Sequence, residues 1–491
     1  MRTRSTTLKT MTWLRARLDR TRGRAPLKES LLVLSDVHLG SDINDLTPHG
    51  ARRSAEVDRD LVGLLDHYRR TPAEGRRWRL VVAGDFIDFI GMSVAPDGLS
   101  LQTPLTEEER AHGLGNAEDH SREKLRRVAQ RHAEVFAALA AFVEAGNALT
   151  FVHGNHDLEL YWGSVRAELL EILLAHRTTA ISRRDFAARV DHNPWFYYVA
   201  GAVYVEHGHQ YDPFCATDHP MMPLAAGDRQ RLSFGFCEVL LRHVVRPTRG
   251  LPEHGHEELG VVDYVRLGVR MGLVGMTQLF WRYVRAVAQL FRLWRQHWSA
   301  SARTLRRQHW GALVRFARRH RIRLRHVRAA RVLQTPPITR TVRGVMASLL
   351  VDRLALLFVA GTALLILALL RLPGAAFWIG AAAVLGLSMV AYRYIANQRT
   401  VDADDRLRER ASKLVRLFPS RFVVMGHTHT PRLVKLAHGE STYVNVGGWS
   451  EEEGASPAPR THLVVHPRRR GVTGALLRWC ASNGPVAFET R

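Results

Sequence analysis

Cysteine, lysine and acidic charge are all scarce in this 491-residue chain. The three cysteines, Cys215, Cys237 and Cys480, are odd in number, widely spaced and form no CxxC pair. That argues against a disulfide framework and for a reducing compartment. Only five residues are lysine, so arginine supplies most of the 70 basic residues, against 46 Asp and Glu. The formal net charge of +24 points to a polyanionic partner: nucleic acid, an anionic membrane surface or a phosphorylated substrate. No cleavable secretion signal is expected either. The apolar run at 31–34 that follows the basic start is too short for a signal core and reads as a strand.

The length allows more than one domain. Residues 1–29 are polar and Arg-rich and read as a basic arm. Strands are expected at 31–34, 80–83, 148–152 and 203–206, and helices at 55–70 and 121–145. This rhythm predicts an α/β core. The loop 91–120 is long and patternless, and is expected to border a site. Further strands are expected at 421–425, 442–446 and 461–465. The core is therefore read in two parts, 30–224 and 405–491, with a basic helical insertion at 225–404.

The insertion has two characters. Over 261–298, Arg266, Arg270, Arg282, Arg285, Arg292 and Arg295 fall within an arc of roughly 160° at helical spacing, opposite an apolar face. That pattern suits a helix lying in a membrane interface; the alternative is a basic-faced helix packed on a soluble core. Two uncharged apolar runs follow, 354–370 and 374–392, each near the length that crosses a bilayer. They are expected to form a transmembrane helical hairpin. Arg340, Arg343, Arg353, Arg393 and Arg399 flank it, and the turn holds only Arg371, which places both ends in the cytoplasm.

Five short motifs each follow an apolar strand. They are Asp36-Val37-His38, then Gly84-Asp85 with Asp88 three residues on, then Gly154-Asn155-His156-Asp157, His207-Gly208-His209 and Gly426-His427-Thr428-His429. Each alone is weak; five in order are specific. Two divalent cations about 3.5–4 Å apart need compensating anions, which carboxylates supply, while imidazoles and an amide oxygen complete the shells without excess charge. N and O donors suit Mn, Fe, Zn or Co.

This order of motifs resembles the calcineurin-like metallophosphoesterases, over about 270 residues that exclude the insertion. The resemblance implies an αββα four-layer sandwich and a hydrolase with two divalent metal ions. It implies that Asp36, His38 and His429 bind the first metal, that Asp85 bridges, and that Asn155, His207 and His427 bind the second. His156 would protonate the leaving group or stabilise the charged phosphorane, oriented by Asp157, and His209 would support the ligands from behind. Metal-activated hydroxide would then attack a phosphate ester or pyrophosphate. Tyr443-Val444-Asn445-Val446-Gly447-Gly448-Trp449 is also similar to the tail of UDP-2,3-diacylglucosamine pyrophosphatases, which have Arg where this chain has His156. That branch acts on a lipid precursor, so a lipid-linked or nucleotide-linked substrate at the cytoplasmic face of the inner membrane is expected.

An alternative is a nuclease or nucleotide phosphodiesterase whose basic insertion grips nucleic acid. Trp281, Trp294, Trp298 and Trp310 sit among arginines and would stack bases in that case, or anchor at a membrane interface. A dense Arg and His run at 301–331 reads as a solvated helix face or a contact for anionic headgroups. The cluster Glu253, His254, His256, Glu257 and Glu258 beside Pro252 reads as a solvated loop rather than a metal site, as does Glu451 to Glu453 near the site rim.

Overall fold

Short runs of Leu and Val without polar alternation suit strands covered on both faces. The computed structural model describes residues 27–44, 48–71, 73, 75–248, 261–348, 351–370, 373, 374–397, 403–437, 440–450 and 458–489. The cluster at 253–258, the patch at 451–453, Arg371, Arg399 and residues 1–26 of the arm lie outside them. The strands are β1 (Ser30–Leu34), β2 (Trp78–Ala83), β3 (Ala148–Val152), β4 (Val190–Asn193), β5 (Phe196–Val199), β6 (Val203–Glu206), β7 (Phe422–Met425), β8 (Arg432–Lys435), β9 (Thr442–Asn445), β10 (Thr461–Pro467), β11 (Val472–Cys480) and β12 (Gly484–Ala487).

They form two mixed sheets. One runs β12-β11-β10-β1-β2-β3-β4 and the other β5-β6-β7-β9-β8. Strands β1 to β4 are parallel, as are β6, β7 and β9. Strands from both sides of the insertion meet in each sheet, for β10 pairs with β1 and β7 with β6.

Side chains alternate across each strand. Leu31 and Val33 of β1 share one cluster with Val203, Val424 and Val444 of the other sheet, so the two sheets face each other there. Leu32 and Leu34 turn to the opposite face and meet α1 (Pro48–Arg70), α2 (Glu118–Arg131), α3 (Ala133–Glu144) and α4 (Gly163–Ala175). Burying each such Leu or Val fully is worth about 1.5–3 kcal/mol. The expected helix at 121–145 is two helices, α2 and α3. His132 breaks them with φ −112° and ψ 36°, and its Nδ1 lies 2.8 Å from Asp58 Oδ1. A tertiary ion pair there overrides the helical period.

The insertion opens with α5 (Phe236–Leu240) and α6 (Val261–His297). Gly272, at φ 71° and ψ −179°, interrupts α6, so one arginine arc does not run through it. Leu279, Ala286, Leu290 and Leu293 are buried against α5 and the turn after it, whereas Leu273, Val274, Phe280 and Trp281 are exposed. Next, α7 (Ala300–Arg319) and α8 (Leu324–Leu333) cover the outer face of the second sheet together with α12 (Ala403–Leu417), described last in chain order. Leu313 and Phe316 bury against Phe196, Tyr204 and Phe418. Arg303, Arg306, Arg307, Arg315, Arg318 and Arg325 are exposed on the other side of these helices, Arg331 is half-buried and donates to Asp218 C=O at 2.8 Å, and Arg328 sits over the ring of Trp310 at 5.1 Å.

Between them come α9 (Val342–Ser348), α10 (Val351–Leu369) and α11 (Gly374–Asn397). The two apolar helices touch, and a Cβ on Gly380 would lie 3.2 Å from the Leu367 side chain. Among the described residues, Gly374–Tyr394 is long and apolar enough to cross a membrane, with mean hydropathy 1.8, and only 6% of it is buried. Leu356–Leu369 is a shorter apolar stretch.

The loop at 91–120 fastens the insertion to the core. Arg231 donates to both carboxylate oxygens of Glu109, at 2.8 and 2.7 Å, and Asn116 Oδ1 accepts from Leu232 N–H at 3.1 Å. Burial alone would raise the Glu109 carboxyl, but His120 and Arg231 hold it well below its ordinary value. A depressed folded-state pKa gives stability that is complete above the unfolded value, about 4.3, and is lost as pH falls through the folded one. Glu109→Gln is therefore expected to cost about 1.5–3 kcal/mol at pH 7, because it removes the charge from a buried carboxylate that accepts two guanidinium hydrogen bonds, while Arg231 keeps its pairing with Asp228. The cost should shrink steadily below about pH 4. Urea unfolding at several pH values checks this; an equal cost at pH 7 and at the acid end would contradict it.

Candidate metal centre

The motif residues converge because they sit at the C-terminal ends of parallel strands. Asp36 follows β1, Asp85 follows β2, Asn155 follows β3, His207 follows β6 and His427 follows β7. The chain must turn sharply there. Among the described residues, seven non-glycine residues have left-handed backbones, and five of them are Asp36, His38, Asp85, His427 and His429, with φ from 52° to 72°. Such strain persists only where the surroundings impose it, and it concentrates at functional sites. Here Val37 and His38 N–H both donate to Asp85 C=O at 3.0 Å, and Trp449 N–H donates to Asp36 C=O at 2.9 Å. The similarity-bearing segment ending in Trp449 thus braces the first motif. Two glycines allow the closest approaches: a Cβ on Gly154 would lie 2.0 Å from Asp85 Oδ1, and one on Gly426 would lie 2.3 Å from Asp36 Oδ2.

Each buried carboxylate is used twice. Asp36 Oδ2 accepts from His427 N–H at 3.1 Å, and Asp85 Oδ1 accepts from His156 N–H at 2.8 Å. Their other oxygens face imidazoles. Asp36 Oδ1 lies 3.3 Å from His429 Nε2 and 3.9 Å from both His38 Nε2 and His207 Nε2. Asp85 Oδ2 lies 3.1 Å from His207 Nε2 and 3.8 Å from His38 Nε2. Asn155 Oδ1 is 3.0 Å from His207 Nε2, and His207 Nδ1 is 3.0 Å from Ala83 C=O. That carbonyl contact leaves Nε2 to face the centre.

These spacings suit shared ions. Two donors about 2.1 Å from one cation at a right angle are about 3.0 Å apart, and wider angles separate them further. Asp36, His38 and His429 offer one such group, and Asp36, Asp85 and His207 another. The charge fits too. Asp36 and Asp85 are buried, and their ion pairs among the described residues are all with imidazoles. Burial would raise the Asp36 carboxyl, yet His207 and His429 hold it well below the ordinary range. Burial likewise opposes ionisation of Asp85, which His207 and His156 keep low. Burial would lower His207, but Asp85 and Asp36 push it up to about 9. Without metal, protons must supply the compensating charge that two cations would supply.

The last two site residues are arranged differently from expectation. Asp157 does not orient His156. Its carboxylate turns behind the loop and accepts from Gly154 N–H at 2.6 Å and Phe86 N–H at 2.9 Å, because it closes a tight turn into the helix Leu158–Tyr161. Asp88 holds His156 instead, with Oδ1 2.7 Å from Nδ1. The His156 ring stands edge-on to His38, with centroids 4.6 Å apart. Burial would lower His156, but Asp88 and Asp85 push it up to about 9. His209 is buried behind His207, with ring centroids 5.3 Å apart, and its Nε2 is 2.8 Å from Gln210 Nε2.

Asp212 was not singled out by the sequence, since no motif contains it. Its Oδ2 lies 3.1 Å from His427 Nε2, and Asp212, Cys215 and His427 form a further group of donors; an ion held by His427 Nδ1 would leave Asp212 on the far nitrogen. A carboxylate on the far nitrogen fixes the tautomer and raises ligand basicity. Asp212→Asn is expected to weaken Mn²⁺ binding about 10- to 100-fold in calorimetric titrations. Unchanged affinity would remove Asp212 from the centre.

A narrow cleft opens beside Asn155, between the core and the start of the insertion. Its walls include Ile90, Leu158, Glu159, Phe214, Cys215 and Glu238, and no arginine or lysine among the described residues. The chain matches no protein-family model and no curated protein.

Proposed function

We propose that this chain is a dinuclear metal-dependent phosphoesterase of the calcineurin-like kind, working at the cytoplasmic face of the inner membrane on a phosphorylated, lipid-linked substrate. The carrying observation is that Asp36 Oδ1 and Asp85 Oδ2 meet the imidazoles of His38, His207 and His429 at strand ends. Asp36, His38 and His429 would hold one divalent ion, Asn155, His207 and His427 the other, with Asp85 between them. Bound there, Mn, Fe, Zn or Co ions would activate water and offset charge on the phosphoryl group. The chain itself supplies the rest. His156, held by Asp88, would give its proton to the leaving oxygen. Asp157 secures the turn that carries Asn155 and His156. The two facing sheets with helices outside them correspond in this reading to the four-layer metallophosphoesterase sandwich.

The apolar helices α10 and α11 would form a membrane hairpin, since their outward side chains are exposed. The nuclease alternative draws on the basic face of α7 and α8. It is the weaker reading, because a nucleic-acid channel wants a positive wall and the cleft at Asn155 has none among the described residues. The test is detergent-solubilised protein with Mn²⁺, offered p-nitrophenyl phosphate, its bis ester and UDP-linked lipids. Hydrolysis of none would sink the enzyme reading. Salt-sensitive DNA binding and cutting would favour the nuclease.

A further inference from the structure

We propose that Cys215 and Cys237 form a reversible dithiol–disulfide site in the wall of the cleft beside Asn155. Their Sγ atoms are 3.4 Å apart, although 22 residues separate them in the chain. Both are cysteines outside any disulfide, both are partly exposed, and both line the cleft. A disulfide needs an S–S distance of about 2.05 Å, which small side-chain rotations supply when the sulfurs already touch. Cys480 lies in β11 and has no such neighbour among the cysteines.

The two thiols belong to different parts of the molecule. Cys215 sits in the turn after the fourth motif, where its N–H donates to Asp212 C=O at 3.2 Å. Cys237 sits in α5, the first helix of the insertion, with its Sγ 3.6 Å from Phe214 C=O. A bond between them ties the insertion to the turn that carries Asp212, and Asp212 holds His427. The covalent state of the pair thus sets how freely one wall of the cleft moves against the candidate metal centre.

The chemistry balances with a low-molecular-weight disulfide of the glutathione type as oxidant. One thiolate attacks a sulfur of that disulfide, forming a mixed disulfide and releasing one small thiol. The second protein thiolate attacks the protein sulfur of the mixed disulfide. The Cys215–Cys237 bond forms and the second small thiol leaves. Two electrons pass to the oxidant, and the two protons end on the released thiols. In a reducing compartment such a bond is transient, as a regulatory disulfide must be.

The bond does not depend on the proposed phosphoesterase activity; its bearing on the metal centre does. The test equilibrates the full-length protein in detergent with graded ratios of reduced to oxidised glutathione, blocks free thiols by alkylation, and maps peptides by mass spectrometry. The expected result is one intramolecular Cys215–Cys237 cross-link that appears with a two-electron midpoint and is reversed by dithiothreitol, with Cys480 alkylated throughout. Cys480→Ser should behave as the unaltered protein. Cys215→Ser should leave Cys237 carrying a stable glutathione adduct, since no neighbour can displace it. Hydrogen exchange over residues 212–240 should slow at least twofold in the oxidised form. The proposal is overturned if both cysteines stay alkylated at every ratio, or if separate glutathione adducts persist in the unaltered protein. Hydrolysis of p-nitrophenyl phosphate by the same samples keeps the two readings apart. A cross-linked protein inactive in both redox states condemns only the enzyme reading, and an active protein without the cross-link condemns only this one.

Discussion

Asp85→Asn is expected to lower Mn²⁺-dependent hydrolysis on the order of 10³-fold or more and to reduce bound metal per chain. The reasoning starts from charge. Asp85 is buried, and its Oδ2 is the oxygen that faces both His38 and His207. It is thus the carboxylate placed between the two ligand groups. Asparagine keeps the shape and can still accept from His156 N–H, but it removes the negative charge that two adjacent cations require. Loss of a carboxylate that only orients a ligand costs about 10- to 100-fold, so loss of a shared ligand should cost more. The fold should survive, because the partners of Asp85 are imidazoles, which can lose their protons when the carboxylate is gone. Metal content by mass spectrometry and rates on p-nitrophenyl phosphate check this together. A folded variant with full activity would remove Asp85 from the mechanism.

Leu365→Arg combined with Leu385→Arg is expected to release the protein from membranes. Leu365 lies in α10 and Leu385 near the middle of α11; both side chains point outward, at 60% and 57% exposure. Neither change therefore disturbs a packed interior. An arginine in place of leucine near a bilayer centre costs about 3 kcal/mol, so two cost about 6 kcal/mol, roughly a 10⁴-fold shift in partition. The unaltered chain should sediment with membranes through high-salt and alkaline washes, and the double variant should not. Recovery of the unaltered chain in the soluble fraction would refute the membrane hairpin.

The parts legible in the sequence are those fixed by local pattern. Residues 31–34, 80–83 and 148–152 are apolar runs, and the strands β1, β2 and β3 lie there; the motif residues follow at their ends. β4, with the sequence Val-Asp-His-Asn, carries no apolar alternation and is held by pairing to β3. The division of residues 118–144 at His132 depends on Asp58, far away in the chain, and no periodicity records it. The break at Gly272 had a local signal, the glycine itself, which the arginine spacing outweighed. Asp157 stands next to His156, yet its carboxylate goes to Gly154 and Phe86 N–H, because neighbours on a tight turn point apart. Asp88 was visible in its motif, but its role was not. Asp212 was invisible, since its partner His427 lies beyond the whole insertion.

The central claim is that residues from both sides of the insertion assemble one two-metal centre. Anomalous diffraction at the manganese edge, from crystals of the full chain grown with Mn²⁺, tests it most directly. Two peaks about 3.5–4 Å apart are predicted. One should lie among Asp36, His38 and His429, the other among Asn155, His207 and His427, with Asp85 touching both. The absence of any peak among these residues, or a single ion bound elsewhere, would contradict it.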